Sequence, residues 1–244
     1  VTGASSGIGR ACALRFAEDG HRVVAIARGL DALNTLRDEA GPSILPWAFD
    51  LAGPSPDALV APLVAAHGAP SVVVHAAGML RGGPLESVDL DAFDQTMNLN
   101  VRALYAINRA LWPHLRPQGA SAAVVHISSV AGPRPYANLA AYCVSKAAVD
   151  ALTRCLALEW APDGVRVNAV NPGVVVTELH RRGGMSEESY QRFLERSRET
   201  HPLGRVGTPE EVAAAVAWLA GPDAGWITGE TLAIDGGRHL TSLR

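Results

Sequence analysis

Apolar positions along this 244-residue chain alternate between two patterns. Short runs rich in β-branched residues, at 22–27, 43–49, 71–74, 122–127, 165–170 and 231–234, predict strands. Between them, helix periodicity predicts helices at 7–19, 30–40, 56–67, 91–112, 139–160 and 208–220. Strands that are apolar throughout, separated by helices, predict a parallel sheet covered on both faces. Right-handed crossovers then give a doubly wound α/β sandwich. No linker, repeat or low-complexity tract interrupts the alternation, so residues 1–244 read as one domain. Val1-Thr2 reads as the tail of a further strand, because Gly3 already opens a glycine loop. A doubly wound sheet needs that strand near its centre, which leads us to expect upstream residues in the natural protein.

Residues 178–203 break the alternation. The segment is charged, contains Gly183-Gly184, and carries Met185, Tyr190, Phe193 and Leu194 on a helix-like stripe. Its place between a strand and the next helix, at the carboxyl edge of the sheet, suits a mobile lid.

Composition narrows the function classes. With 48% hydrophobic and 18% charged residues the chain can bury a sizeable core. A net charge of -3 predicts no nucleic-acid partner. No apolar run reaches about 18 residues, so no membrane span is expected, and no secretory leader is visible at the start. Cys12, Cys143 and Cys155 are too few and scattered for a disulfide framework or a zinc site. A reducing, cytoplasmic home and no metal are expected.

Three constellations carry candidate chemistry. The loop Thr2-Gly3-Ala4-Ser5-Ser6-Gly7-Ile8-Gly9 lies between a strand and a helix. Its glycines let backbone N–H groups approach a pyrophosphate, and the helix N-terminus favours that charge. A glycine trio alone also suits a tight turn. Tyr142 and Lys146 stand four apart in the helix predicted over 139–160, so phenol and ammonium share one face. A free phenol titrates near 10, and a neighbouring cation lowers that value. The chain holds 20 arginines and one lysine, and the lysine is this one. Arginine, bulkier and planar, would be a poor substitute for gripping a ribose hydroxyl. Ser129 ends the strand at 122–127, where the following loop can bring its hydroxyl and that of Tyr142 to one carbonyl; Ser128 competes for the role.

Together and in order, TGxxxGxG (Thr2 to Gly9), Ser129, YxxxK (Tyr142 to Lys146), Asn171-Pro172-Gly173 with Thr177, and Thr228-Gly229 through Asp235-Gly236-Gly237 resemble the single-domain short-chain dehydrogenases/reductases. The nearest branch resembles the 3-oxoacyl-carrier-protein reductases. The resemblance covers nearly the whole chain. It implies a Rossmann-like doubly wound parallel sheet of about seven strands, order 3-2-1-4-5-6-7, with helices on both faces. It also implies a nicotinamide cofactor and a catalytic set of Asn100, Ser129, Tyr142 and Lys146. Asn100 is matched through its following Val-Arg-Ala-Leu-Tyr, ahead of its neighbour Asn98; in the family this asparagine holds a water that links the lysine to solvent. Implied cofactor contacts are Gly3, Ser5, Ser6, Gly7, Ile8 and Gly9 in the loop, Asp50 and Leu51 at the adenine, and Ala76, Ala77 and Gly78 at the ribose. Tyr142, Lys146, Pro172, Gly173, Val175 and Thr177 complete them. One departure is His75, where the family has Asn; it reads as a structural hydrogen-bonder rather than an acid or base.

The end of the second strand reads Ala27-Arg28-Gly29. An acidic residue there would bind the ribose of NAD; Arg28 instead matches a 2′-phosphate in fork geometry, so NADP(H) is expected and NAD is the alternative. The reaction expected is hydride transfer between NADP(H) and a ketone or secondary alcohol. A non-catalytic dinucleotide-binding scaffold or sensor, an NAD-dependent alcohol dehydrogenase, and an epimerase or dehydratase are the rivals. Leu80, Tyr136, Leu139, Val174, Met185 and Tyr190, with Met79, Pro135 and Phe193 beside them, are the substrate-pocket candidates; they favour an apolar small molecule over a sugar. Arg81, Arg134, Arg181 and Arg182 are candidates for a basic rim facing an acidic carrier, although a solvated charged face is the preferred reading. The helix over 139–160 is apolar on more than one side, including Val144, Leu152 and Leu158, which predicts a homo-oligomer; the family implies a tetramer.

Overall fold

The computed structural model describes residues 1–53 and 55–241. Its strands are β1 (Val23–Ala27), β2 (Ile44–Ala48), β3 (Val72–His75), β4 (Ala123–Ile127), β5 (Arg166–Pro172) and β6 (Thr231–Ile234). Every pairing is parallel. β1 pairs with β2, and β3 through β6 pair in sequence. Thr2 joins the two groups, bridging Ile26 on one side and His75 on the other. The Ile26 amide donates to the Val1 carbonyl and the Thr2 amide to the Val74 carbonyl, each at 2.9 Å. Counting Val1-Thr2 as the first strand, the sheet has the expected order 3-2-1-4-5-6-7.

The helices are α1 (Gly7–Glu18), α2 (Leu30–Ala40), α3 (Val60–His67), α4 (Leu90–Met97), α5 (Ala103–Leu115), α6 (Ala140–Trp160), α7 (Leu179–Arg182), α8 (Glu187–Thr200) and α9 (Pro209–Ala220). Strand side chains point alternately to opposite faces, and the valines divide accordingly. Val74, Val125 and Val170 pack with α1, α2 and α9. Val73, Val124 and Val167 pack with α3, α5 and α6. β4 and β5 are buried at every position, as strands covered on both faces must be. Burying each such valine contributes roughly 1.5–3 kcal/mol, which holds the strand ends firmly beneath the site. No helix among the described residues is long and apolar enough to cross a membrane.

Two elements depart from expectation. The helix expected over 91–112 is α4, a π turn at Asn98–Arg102, then α5. The widened turn directs Asn100 inward, where its amide bonds Met79 and Ser145. Such turns interrupt helices mostly at functional positions. The segment 178–203 folds as α7, a glycine turn and α8, and lies along the carboxyl edge of the sheet.

Candidate active site

The carboxyl ends of the central strands open onto one crevice of about 1370 Å³. In open parallel sheets this edge is where ligands bind. The crevice is lined by every residue expected against the cofactor, from Gly3 through Thr177, and by Ser129, Tyr142 and Lys146. Leu80, Tyr136, Leu139, Val174 and Met185 line its other end. Asn100, Tyr190 and Pro135 are not on its wall.

At the glycine loop, α1 begins at Gly7, and its N-cap residue Ser6 gives it no side-chain cap. The amides of Ser5 and Ser6 make no hydrogen bond among the described residues. A Cβ on Gly9 would collide with the Gly3 carbonyl oxygen, so only glycine lets the helix start this close to the strand. The Thr2 hydroxyl accepts from the Ala76 and Ala77 amides at 3.1 and 3.2 Å, locking the loop to the segment after β3. Arg28 is exposed at the end of β1, on the crevice wall, without an anionic partner among the described residues. Uncapped amides at a helix N-terminus and a free guanidinium beside them fit a dinucleotide phosphate group.

At the other end, Ser129 is nearly buried, its hydroxyl accepts from the Ala131 amide at 3.1 Å, and it stands with Tyr142 on the crevice wall. Ser128 instead donates to the Lys146 carbonyl at 3.2 Å, which ties two backbone segments together. The Lys146 ammonium donates to the Ile127 carbonyl at 2.8 Å and lies 5.6 Å from the centre of the Tyr142 ring. Asn100 donates through Nδ2 to the Met79 carbonyl (2.9 Å) and Ser145 Oγ (3.0 Å), while its Oδ1 accepts from the Met79 amide (2.8 Å). Its side chain therefore lies under the crevice floor and braces Met79 against α6. Asn98 lines the crevice and donates to the Ala52 carbonyl at 2.7 Å.

Burial pushes the Tyr142 phenol up to about 12; the Ser129 hydroxyl opposes this and Cys143 adds to it. Burial also pulls the Lys146 ammonium down to about 8, against the attraction of Asp150. Burial therefore outweighs any lowering of the phenol by this ammonium. Lys146 is held at the Ile127 carbonyl, and the cost of an unsolvated phenolate dominates.

Two buried groups close to the site have other roles. His75 shares a chain of hydrogen bonds with Asn108 (3.1 Å), which meets His126 (3.0 Å), which meets Thr153 (2.8 Å). Asn108 Oδ1 accepts from His75 and its Nδ2 donates to His126, an assignment that requires the His126 ring to be neutral. Burial lowers His75 to about 4 and His126 well below its ordinary value. Asp150, one turn beyond Lys146, was not singled out in the sequence; its spacing of four from the lysine was the available signal. Its Oδ2 accepts from Asn171 Nδ2 at 3.3 Å, but its Oδ1 and Asn171 Oδ1 are buried without a partner among the described residues. Burial raises the Asp150 carboxyl, opposed by Ser128, Asn171, Arg154 and Lys146.

The lid corrects one expected substrate contact. Tyr190 is fully buried. Its hydroxyl donates to the Thr177 carbonyl at 3.2 Å, and the Arg181 guanidinium lies 4.1 Å from its ring centre. Tyr190 therefore anchors the lid to the loop after β5, and Phe193 takes the place on the crevice wall. The basic rim is not assembled either. Arg181 pairs with Glu178 and Glu187, and Arg134 donates to the Arg238 carbonyl at 2.8 Å. Only Arg81 and Arg182 of the four line the crevice. Arg238, absent from the sequence reading, is buried on the crevice wall and donates to the Tyr136 hydroxyl at 3.1 Å.

Comparison with known proteins agrees with this geometry. A family model described as enoyl-(acyl carrier protein) reductase matches residues 3–239. A galactitol 2-dehydrogenase (L-tagatose-forming) of Cereibacter sphaeroides is 37% identical, covering 97% of this chain and 92% of the relative. A 3beta-hydroxysteroid dehydrogenase 1 of Eggerthella lenta is 34% identical, covering 98% and 92%. Among solved structures, a 3-ketoacyl-(acyl-carrier-protein) reductase from Brucella melitensis complexed with NADH superposes with a TM-score of 0.89, at 33% identity over 98% of this chain and 96% of that one. The chain belongs to the short-chain dehydrogenase/reductase family, oxidoreductases that interconvert alcohols and carbonyls.

Proposed function

We propose that this enzyme interconverts an apolar ketone and its secondary alcohol with NADP(H), using Tyr142 as the proton donor and acceptor. The observation that carries the reading is that Ser129, Tyr142 and Lys146 line the same crevice as the glycine loop, with the Lys146 ammonium 5.6 Å from the Tyr142 ring centre. A bound nicotinamide supplies or removes the hydride at the substrate's carbonyl carbon. Ser129 and Tyr142 hydrogen-bond the carbonyl oxygen and fix its distance and direction. Tyr142, protonated because burial holds its phenol high, gives its proton to that oxygen during reduction; in oxidation it takes the proton back. Lys146 keeps a positive charge behind the phenol, which favours the phenolate as the proton leaves. Asn100 acts as a positioning residue, holding Met79 and Ser145 in place. We read both binding roles onto one domain.

NADP(H) is preferred because Arg28 stands free where a 2′-phosphate would lie. The second reading, NAD(H), is favoured by the NADH found in the Brucella relative. An apolar substrate is supported by Leu80, Leu139, Val174, Met185 and Phe193 on the crevice wall. The relatives' names range from a polyol to a steroid, so the pocket is the better guide. Exposed Val144 and Leu158 on α6 and Tyr105 on α5 support a homo-oligomer, with a tetramer as the family's pattern. Three free thiols fit a reducing cytoplasm. A panel of ketones and secondary alcohols, followed by the absorbance of the reduced nicotinamide, tests the activity. Turnover of an apolar ketone with NADPH is expected, and no change of cofactor with any substrate contradicts the reading. Sedimentation as a monomer at working concentration contradicts the oligomer.

A further inference from the structure

We infer that Arg182, on the lid, is a ligand for the diphosphate of the bound dinucleotide and so fastens the lid to the cofactor. This rests on the dinucleotide reading above. Arg182 ends α7, yet its Nη1 reaches across to donate to Ser6 Oγ at 3.1 Å. Ser6 is the N-cap of α1, the residue whose side chain would ordinarily cap that helix. Here the hydroxyl faces the lid instead, and the helix is left uncapped.

The electrostatics of that contact are unsatisfied as they stand. The N-terminus of α1 carries partial positive charge, and a guanidinium beside it is the wrong sign. The amides of Ser5 and Ser6 add two N–H donors with no acceptor among the described residues. Around one point there are thus a cation, two free amides and a helix's positive end, all donors. An anion with several acceptor oxygens satisfies them together and neutralises the guanidinium, which water does not. A diphosphate has that chemistry, and the crevice that Arg182 lines also holds Arg28 and the glycine loop.

The neighbouring charges show that Arg182 is placed for this role. Arg181 takes both nearby carboxylates, Glu178 and Glu187. Arg182 has no carboxylate partner among the described residues. The turn that follows is held against the crevice wall, because a Cβ on Gly183 would come within 2.9 Å of the Leu80 carbonyl oxygen. The same lid segment brings Met185 and Phe193 to the substrate end. Diphosphate binding and enclosure of the substrate are therefore linked through one short helix. By linkage, whatever closes the lid must tighten the cofactor and the reverse.

The test compares wild type, Arg182→Ala and Arg182→Lys. Arg192→Ala serves as a control, because Arg192 is another lid arginine, paired with Glu188 at the surface. NADPH and NADH are titrated by nicotinamide fluorescence, and backbone hydrogen exchange is followed over 178–186 with and without cofactor. Inorganic pyrophosphate is the minimal probe. Arg182→Ala is expected to weaken NADPH and NADH by the same factor, roughly 10- to 100-fold, as loss of a charged hydrogen-bond donor does. Arg182→Lys should restore part of this, and Arg192→Ala should change nothing. In the wild type, cofactor and pyrophosphate should both slow exchange over the lid, and Arg182→Ala should remove that protection. Undiminished affinity and protection in Arg182→Ala would overturn the inference while leaving the enzyme reading intact. A loss confined to NADPH would also overturn it, since that places the side chain at the 2′-phosphate. Failure of the wild type to bind either dinucleotide would overturn both.

Discussion

Lys146 Nζ donates to the carbonyl of Ile127 at 2.8 Å, not to the phenol of Tyr142. The ammonium thus rests on the end of β4, one residue before Ser128-Ser129, and acts on the phenol through space. Burial holds it near 8, so its charge is fully present below that pH and disappears above it. We predict that kcat/KM for ketone reduction is flat at neutral pH and falls above about 8. Lys146→Arg should not restore the lost rate, because a planar guanidinium cannot take the same position. A pH–rate profile of the free enzyme reads this directly; a profile flat to pH 10 would contradict it.

Alcohol oxidation should show the opposite slope. Tyr142 must then be a phenolate, and burial keeps it protonated up to about 12. The oxidative kcat/KM should therefore climb with pH up to about 8, where loss of the Lys146 charge checks it. Parallel profiles in the two directions would show that another group exchanges the proton.

Arg28→Ala should weaken NADPH roughly 10- to 100-fold and leave NADH within twofold, since only one of the two carries a 2′-phosphate. Fluorescence titration checks this. An unchanged preference would remove the basis for NADP(H) and leave NAD(H) as the better reading.

Neutral, buried His75 makes stability depend on acid. Its folded value, about 4, lies below the ordinary 6.5, so between these pH values the unfolded chain binds the extra proton. Stability should fall as pH drops from about 6.5 to about 4 and level off below, a loss of about 3 kcal/mol from this ring. His75→Asn keeps a donor for Asn108 and does not titrate. Denaturant unfolding at pH 7 and pH 4.5 should show a smaller acid loss in that variant.

Asp150 and Asn171 face one another with an unpartnered oxygen on each. A proton on Asp150 Oδ1 would supply the donor that both oxygens lack. Asp150→Asn, which carries N–H donors in the same shape, should therefore keep near wild-type stability and rate. Asp150→Ala, which strands Asn171, should cost about 1–3 kcal/mol. If the carboxylate charge itself mattered, Asp150→Asn would shift the alkaline limb of the reduction profile.

The fold was legible because its strands are buried on both faces and its helices are not. Val73 and Val74 need no partner information to be read as a strand in a covered sheet. Even the two-residue segment Val1-Thr2 was placed by the glycine after it. The pairing of Tyr142 with Lys146 at the candidate site was legible from spacing, since residues four apart share a helix face by geometry alone. Spacing does not say which acceptor the ammonium takes, and Ile127 comes from another element. The π turn at Asn98–Arg102 was hidden because apolar periodicity runs through it; the cause is the inward hydrogen bonding of Asn100 to Met79 and Ser145, which are distant in sequence. Tyr190 was misread for a related reason. The stripe it shares with Phe193 is real, but only the packed lid decides which ring meets the crevice and which lies beneath Arg181.

Tyr142→Phe tests the account at its centre. The ring is retained and only the hydroxyl is lost, so the fold and the cofactor site should persist. We predict nicotinamide-dinucleotide affinity within about threefold of wild type, together with a turnover loss of 10²–10⁴-fold or more, the usual worth of a positioned proton donor. Turnover within tenfold of wild type in this variant, with cofactor bound, would contradict the claim that this phenol carries the proton.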